Sequence, residues 1–305
     1  MIEVLKQLFI LFSFILIGYI LRKKHVVNGH AAPILSKLLV YVFAPAVSLK
    51  SLSTNLNLHN VHEKYLYLVV AVILLVIVFF AARWLSERFS GDSYEKSVYA
   101  YSFTASNYGY MGYALVQALF GDDMLLNMVL FSVPTTVYIY TEGLRILTEQ
   151  KKVSFRNLVN PAMFAIVAGA FFGLAGVQLP EMADGILTGA GNCMAPVSMI
   201  MTGFVLAEYG LKPLFLNAKI YVASVFRLLV IPLAIMAILL LFRVDSSVVL
   251  IAVLFYSLPA GLNGVVFPKM INKDCKTGLS IAVLTNLFCI FTIPAFVHFL
   301  QLNVS

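Results

Sequence analysis

The sequence predicts an all-α polytopic membrane protein of ten transmembrane helices, arranged as two inverted five-helix repeats with broken crossing helices 4 and 9. Three observations support this prediction. Apolar residues make up 61% and charged residues 11% of the 305 positions, unlike the composition of soluble domains. A basic linker divides the apolar spans into two equal sets. One span in each set is interrupted by asparagine together with glycine or proline.

The apolar segments are compared with the roughly 20 residues that a membrane crossing requires. The mean hydropathy of +0.93 fits a chain that such segments nearly exhaust. The predicted spans are 4–22, 33–52, 65–86, 94–119, 125–147, 160–177, 185–208, 213–242, 246–271 and 277–300.

Lysine and arginine fall unequally on the two sides of these spans, and cytoplasmic loops are the ones that collect them. One side holds Arg22, Lys23, Lys24, Arg83, Arg88, Lys96, Arg145, Lys151, Lys152, Arg156, Lys212, Lys269, Lys273 and Lys276; the other holds Lys6, Lys50, Lys64 and Arg243. The sequence therefore predicts a multi-pass protein of the cell (inner or plasma) membrane with both termini on the non-cytoplasmic side. Basic loops on an anionic leaflet account for the net charge of +7, so no nucleic-acid partner is predicted.

The linker Thr148–Asn157 separates a first five-helix repeat, 1–150, from a second, 151–305. Because five is odd, two similar halves must lie in opposite orientations in the membrane. Proline recurs at matching places, as Pro45 and Pro196 in spans two and seven and as Pro134 and Pro294 in spans five and ten. This common order indicates an inverted repeat.

The segments Ser102–Gly112 and Ser257–Pro268 place helix breakers inside spans four and nine. In span four we expect the helix to end near Ser106–Asn107 and to restart near Gly109–Gly112. A broken helix exposes unpaired N–H groups that favour an anion, and an amide can bridge such groups to a ligand. We expect substrate-binding groups at Asn107, Tyr108, Gly109, Asn263, Gly264 and Arg227, and structural crossover residues at Gly112, Pro259 and Gly261.

Two alternatives stay open at this point. Asn107 and Asn263 could serve only to hold kinked helices together, as polar residues do between spans. Arg227 falls near the middle of span eight, where an unpaired charge costs on the order of 2.5–3.5 kcal/mol. It could bond the carbonyls of a broken helix or Glu142, or it could contribute directly to an anion pathway.

Several functional classes are excluded by what the sequence lacks. The cysteines, Cys193, Cys275 and Cys289, have no metal or disulfide spacing, and His59 and His62 have no third ligand in register, so no metal site is predicted. No nucleotide-binding motif is present, which excludes ATP hydrolysis by this chain. Intramembrane catalytic pairs are absent as well, so neither an enzyme nor a cofactor is predicted.

The sequence resembles the auxin efflux carrier family and its bacterial members over essentially the whole chain. The resemblance is carried by Asn107–Tyr113 with Ala118–Gly121, and by Leu258–Asn263 with Thr292–Pro294. The resemblance implies a scaffold of helices 1, 2, 6 and 7, which often dimerises, and a transport unit of helices 3–5 and 8–10. It also implies an organic anion as substrate, either indole-3-acetate or a dicarboxylate such as malate or malonate. Plant members have proline beside the first crossover asparagine, which argues against plant-type auxin specificity here.

The function favoured by the sequence is secondary transport of a small mono- or dicarboxylate through alternating access around the crossover. A sodium-coupled organic anion symporter of the bile-acid symporter type is an alternative, because that type also has crossed broken helices. A sensor on the same fold that transports nothing is another. A co-transported cation and a homodimer are left open as partners beside the substrate and the lipid bilayer.

Overall fold

The computed structural model describes residues 2–29, 31–209, 217–271 and 273–303, and these residues form helices joined by short turns, without a named β-strand. The α-helices are α1 Ile2–Lys23, α2 Ala31–Leu38, α3 Ala44–Asn55, α4 Val61–Ser86, α5 Ser93–Thr104, α6 Tyr113–Tyr138, α7 Leu144–Leu147, α8 Pro161–Leu174, α9 Glu181–Asn192, α10 Met194–Tyr209, α11 Ala218–Val225, α12 Ile231–Leu241, α13 Ser246–Ser257, α14 Asn263–Met270 and α15 Lys276–Asn303. Lys212 and the start of the predicted span 213–242 lie outside the described residues.

Within the described residues, seven helical segments are long and apolar enough to cross a membrane, and α8 and α13 are shorter apolar helices. The protein is therefore a polytopic membrane protein. The segment Tyr108–Leu147 counts as one of the seven, although its backbone turns at Gly121 (φ 81°, ψ −173°). Glycine adopts this positive φ without a steric penalty. The kink lies between the predicted spans 94–119 and 125–147, where the sequence predicts a turn.

π-helical turns interrupt several of the long helices. Leu39–Phe43 precedes Pro45, and Phe226–Val230 precedes Pro232. Proline has no N–H and its ring clashes with the carbonyl four residues earlier, and a π turn absorbs both defects without ending the helix. The prolines thus bend these helices while leaving them continuous.

Two helix pairs cross very closely at glycine. α1 packs along α10, where a Cβ on Gly203 would lie 2.1 Å from the carbonyl oxygen of Ile15. α3 packs along α8, where a Cβ on Gly173 would lie 2.4 Å from the carbonyl oxygen of Leu52. Small residues allow such close contact between apolar helices, which gain dispersion energy when the backbones approach.

α13 and α15 lie at the centre of the remaining helices. The α13 side chains from Ile251 to Ser257 are all buried, and α13 packs on α4, α6, α12 and α15. Near one end of this group, Lys64 is 7% exposed and donates to Asp123 beside the kink, with 2.7 Å between nitrogen and oxygen. This ion pair joins the beginning of α4 to the turn inside α6.

Candidate functional site

The first break interrupts the helical path between α5 and α6. α5 ends at Thr104, Ala105 has extended backbone angles (φ −92°, ψ 122°), and helical structure resumes with the π turn Tyr108–Gly112. The predicted break at Ser106–Asn107 therefore coincides with a non-helical segment. Serine and asparagine compete with helical hydrogen bonds through their own side chains, which makes this stretch a poor helix former.

The second break separates α13 from α14. α13 ends at Ser257, Leu258 is extended (φ −63°, ψ 152°), and the helix resumes at Asn263. Pro259 explains the position of the break, because its ring disfavours helical angles at Leu258 and it supplies no N–H. Gly261 then allows the chain to pass close to the first break, since a Cβ there would lie 3.3 Å from the carbonyl oxygen of Ser106.

The two breaks bind each other through their backbones, in an isolated antiparallel bridge. Asn107 N–H donates to the carbonyl oxygen of Pro259 (2.9 Å), and Gly261 N–H donates to that of Ala105 (3.0 Å). Each bond satisfies a group that a continuous helix would have paired internally. Irregular backbone inside an apolar protein is tolerated only where such partners exist.

A cavity of about 70 Å³ opens beside this crossing. Its walls come from the π turn before α3, from α8 and from both breaks, so residues of the two predicted repeats share it. The lining is mainly apolar and includes the polar residues Ser48, Tyr101, Ser106, Asn107, Tyr113 and Thr136. The space suits a short polar ligand or a small cluster of waters.

The amide of Asn107 is the clearest ligand-directed group in the cavity wall. Asn107 is 2% exposed, and neither its Nδ2 nor its Oδ1 has a hydrogen-bond partner within the described part of the chain. Buried polar atoms are nearly always paired, because an unsatisfied one costs about 1–3 kcal/mol. The amide thus offers one donor group and one acceptor to whatever occupies the cavity.

Backbone N–H groups are available at the first break. The N–H groups of Tyr108, Gly109 and Tyr110 precede the first helical hydrogen bond, in which Met111 N–H donates to the Asn107 carbonyl (3.1 Å). All three of these residues line the cavity. Unpaired N–H groups at a helix start, with the positive end of the helix dipole behind them, favour an anion.

The second break is less open to a ligand. There, Gly264 N–H donates to the Gly261 carbonyl (3.1 Å) and Val265 N–H to the Leu262 carbonyl (2.9 Å). A tight turn thus uses the first N–H groups of α14 that follow Asn263. The two breaks are similar in sequence but differ in the backbone donors that they leave for a ligand.

Tyr108 of the first break and Tyr113, which directly follows it, are held by their hydroxyl groups to the part of α6 beyond the kink. The Tyr108 hydroxyl lies 2.7 Å from Thr136 Oγ1, and the Tyr113 hydroxyl lies 2.7 Å from Ser132 Oγ. The Tyr108 ring also stacks on Phe255 of α13, with 5.3 Å between ring centroids. These contacts hold the rings in place, so the cavity wall is preorganised.

Arg227 lies behind the first break. Its Nη1 donates to the carbonyl oxygen of Phe103 (3.2 Å) and its Nη2 to Ser106 Oγ (2.6 Å). In a continuous helix the Phe103 carbonyl would accept from Asn107 N–H, which here bonds the second break instead. Of the alternatives left open by the sequence, the structure gives Arg227 the contact to a broken-helix carbonyl, while Glu142 pairs with Arg145 (2.6 Å).

The predicted site residues thus fall into two groups. The cavity lining contains Asn107, Tyr108, Gly109, Asn263 and, beyond the predicted binding set, Gly261.

Within the described residues, Gly264 and Arg227 stand behind the lining rather than in it. Gly264 packs against the Tyr101 ring, where a Cβ would lie 3.5 Å from a ring carbon. Gly112 lies against Leu258 of the second break, where a Cβ would lie 2.6 Å from Leu258 Cδ1, so glycine allows the two breaks to pack closely.

Ser106, Tyr101, Tyr113 and Thr136 line the cavity but are not among the predicted site residues. Ser106 and Tyr101 belong to the interrupted span, so their proximity to the break was a usable signal. Thr136 lies far along the next predicted span, and nothing local marks it. The described residues contain no group of three or more His, Cys, Asp or Glu side chains placed to hold a metal ion.

Comparison with known proteins agrees with a transport role. The sequence model of a family described as membrane transport protein matches residues 3–153 and 148–297. The chain is 21% identical over 296 residues, 93% of both chains, to the uncharacterised transporter YfdV of Escherichia coli (strain K12). It is 25% identical over 224 residues, 72% of both chains, to an uncharacterised transporter of Methanothermobacter thermautotrophicus. The chain therefore belongs to this family of membrane transport proteins, that of the auxin efflux carriers, and is a transporter and not an enzyme.

Proposed function

We propose that this transporter is a secondary carrier of a small organic anion, a mono- or dicarboxylate, which binds in the cavity beside the crossing of the two broken helices. The observation that carries the proposal is the Asn107 amide, which is buried in the cavity wall and whose two polar atoms have no partner among the described residues. A carboxylate would accept from Nδ2 and from the N–H groups at Tyr108 and Gly109, and a ligand hydroxyl or a water would donate to Oδ1.

The proposed architecture is two inverted five-helix repeats, 1–150 and 151–305. The close glycine contacts support it, because α1 meets α10 and α8 meets α3. In both pairs a helix of the first predicted span of one half packs on a helix of the second predicted span of the other half, and an inverted repeat produces this reciprocity. The antiparallel pairing of the two breaks has the same twofold character.

In the proposed cycle, a scaffold of spans 1, 2, 6 and 7 stays fixed while spans 3–5 and 8–10 move as the transport unit. The cavity suits this division, because Ala44 and Ile166 line it from spans of the proposed scaffold and Asn107 from a span of the proposed transport unit. We place the protein in the plasma membrane with both termini on the non-cytoplasmic side, as the distribution of basic residues suggests. Transport would draw on electrochemical gradients, since the chain has no nucleotide-binding motif.

A thermal-unfolding screen of the purified protein tests the proposal. The ligands are malonate, malate, other short carboxylates, indole-3-acetate and bile acids, each in sodium and in potassium. A ligand at 100 times its dissociation constant stabilises the protein by about 2.7 kcal/mol, which shifts the unfolding temperature measurably. We expect a short carboxylate to give the largest shift, because the cavity is small.

Flux of the best ligand into proteoliposomes completes the test. Uptake in wild type and its loss in Asn107→Ala would support a carrier with this site. Binding without flux would favour a sensor on the same fold, and binding or flux only in sodium would favour a symporter of the bile-acid type. A screen in which no carboxylate stabilises the protein would contradict the proposed substrate class.

A further inference from the structure

Arg227 carries a buried charge for which the described residues provide no anionic partner. It is 0% exposed, and its guanidinium donates to two neutral acceptors, the Phe103 carbonyl and the Ser106 hydroxyl. Its Nε has no hydrogen-bond partner in the described ranges, and none of the ion pairs found there includes it. Neutral dipoles compensate only part of the cost of removing such a charge from water.

Lys64 provides the contrast within the same fold. Lys64 and Arg227 are the charged side chains that the fold buries among the described residues. Lys64 lies near a helix end and has Asp123 as its partner at 2.7 Å. Arg227 lies at the crossing of the breaks, deep in the protein, where a partner would be worth more because the surroundings are less polar. An ionised group kept inside a membrane protein without a partner marks a substrate or ion pathway.

Ser106 connects Arg227 to the cavity. Its Oγ accepts from Arg227 Nη2 at 2.6 Å, and Ser106 is part of the cavity lining. A hydroxyl has one hydrogen to donate in addition to the bonds it accepts. Among the described residues this hydrogen has no acceptor, so it is available to a ligand in the cavity. A ligand oxygen bound to Ser106 would lie one hydroxyl group away from the guanidinium.

We propose that Arg227 supplies the countercharge of the bound anion, acting through Ser106 as a positioning residue rather than touching the ligand itself. The inference rests on the proposed function and adds to it how the site distinguishes ionised from neutral ligands. Arg227 polarises the Ser106 hydroxyl, which strengthens its hydrogen bond to a carboxylate, and the positive charge is balanced only when the anion is bound. A neutral ligand of the same shape leaves the charge unbalanced and binds more weakly.

The test compares malonate with malonamide, which has the same skeleton but no charge. Their dissociation constants are measured for wild type, Arg227→Gln, Arg227→Lys and Ser106→Ala, and unfolding without ligand establishes that each variant is folded. Arg227→Gln keeps hydrogen-bond donors but removes the charge, so we expect the preference for malonate to fall by about tenfold or more. Arg227→Lys keeps the charge, and we expect it to retain most of the preference.

Ser106→Ala is the milder variant, because Arg227 keeps its bond to the Phe103 carbonyl. We expect the preference for malonate to fall in this variant too. Lys64→Gln is the matched control: it removes a buried positive charge that belongs to an ion pair away from the cavity, and its preference should equal that of wild type.

The outcomes separate the two proposals. If neither malonate nor any other carboxylate of the screen binds wild type, the proposed function fails and this inference fails with it. If a carboxylate binds wild type and both Arg227→Gln and Ser106→Ala keep the full preference, only the inference is overturned. If only Ser106→Ala lost the preference, Ser106 would contact the ligand directly and Arg227 would not contribute to the preference. Should Arg227→Gln not fold, loss of the preference in Arg227→Lys, or its full retention in Ser106→Ala, would overturn the inference.

Discussion

The backbone N–H of Asn107 donates to the carbonyl oxygen of Pro259, 2.9 Å away and on the other side of the crossing. In an unbroken helix this N–H would bond the carbonyl of Phe103, which here accepts from Arg227 instead. The hydrogen bond given up by the first break is thus replaced by two bonds to residues of the second half of the chain. The breaks are stable because each half satisfies groups of the other.

We expect Asn107→Ala to abolish ligand binding without lowering stability. The amide has no hydrogen-bond partner to lose in the part of the chain that the structure describes, and its removal relieves a desolvation cost of about 1–3 kcal/mol. The free energy of unfolding without ligand should therefore stay constant or rise, while the shift in unfolding temperature caused by a carboxylate disappears. Thermal unfolding in detergent with and without the ligand measures both quantities.

Asn127→Ala is the matched control for this variant. Asn127 is 1% exposed and its Nδ2 donates to the Tyr67 hydroxyl (3.1 Å), away from the cavity. Its Oδ1 has no partner among the described residues, so the lost bond and the relieved desolvation oppose each other. We expect a small change in stability and an unchanged ligand shift. If Asn107→Ala and Asn127→Ala behaved alike in both measurements, the Asn107 amide would have no special relation to a ligand.

Gly109→Ala should weaken ligand binding and Gly112→Ala should lower stability, although the two glycines belong to the same π turn. A Cβ on Gly109 meets no described residue within 4 Å and would occupy space at the cavity, so we expect weaker ligand binding at unchanged stability. A Cβ on Gly112 would meet buried Leu258, and overpacking of this kind costs about 1–3 kcal/mol. Ligand titration and thermal unfolding of both variants would distinguish these effects, and a stability loss in Gly109→Ala alone would contradict the expectation.

The crossing of α1 and α10 depends on Gly203. A Cβ at this position would lie 2.1 Å from the carbonyl oxygen of Ile15, and a backbone atom cannot move aside as a side chain does. We expect Gly203→Ala to lower the unfolding temperature and the yield of folded protein. Gly185→Ala, on the neighbouring helix α9, is the control: its Cβ has no neighbour within 4 Å in the described ranges, and alanine favours the helix by up to about 1 kcal/mol. Equal behaviour of the two variants would show that the close crossing does not matter.

Removing Lys64 and removing Asp123 from their ion pair should lower stability by different amounts. The Lys64 side chain is 9% exposed and the Asp123 side chain 68% exposed. Asp123→Asn leaves a buried cation without its partner, whereas Lys64→Met leaves a carboxylate that water can solvate. We expect Asp123→Asn to be the more destabilising by about 1 kcal/mol or more. The comparison requires denaturation of both single variants and the double variant, and a larger loss in Lys64→Met would contradict this account.

Much of the helical framework could be predicted from local sequence. Hydropathy places the helices, and the breaks follow from residues that weaken helices, above all Pro259 and Gly261. The first break starts two residues earlier than the predicted end near Ser106, because Asn107 N–H bonds a residue about 150 positions away in sequence. No local pattern contains that information.

The details of the cavity depend on how the helices pack, and this limits prediction from sequence. Gly261 lines the cavity whereas Gly264 packs behind it, although both belong to the same glycine-rich motif. Their difference comes from the position of each along the turn that restarts α14. Arg227 could be recognised as a buried charge, but its acceptors at Phe103 and Ser106 become its neighbours only after folding.

The position of Arg227 has a consequence for the direction of transport. Under the proposed cycle, the empty transport unit carries this positive charge through the membrane field, and a bound monoanion cancels it. One elementary charge crossing 100 mV corresponds to about 2.3 kcal/mol, a bias of roughly fortyfold between the two orientations. A cytoplasm-negative voltage would therefore hold the empty carrier with its site toward the cytoplasm, where it can bind an anion for export. The carrier loaded with a monoanion would then move outward without electrical work against the field.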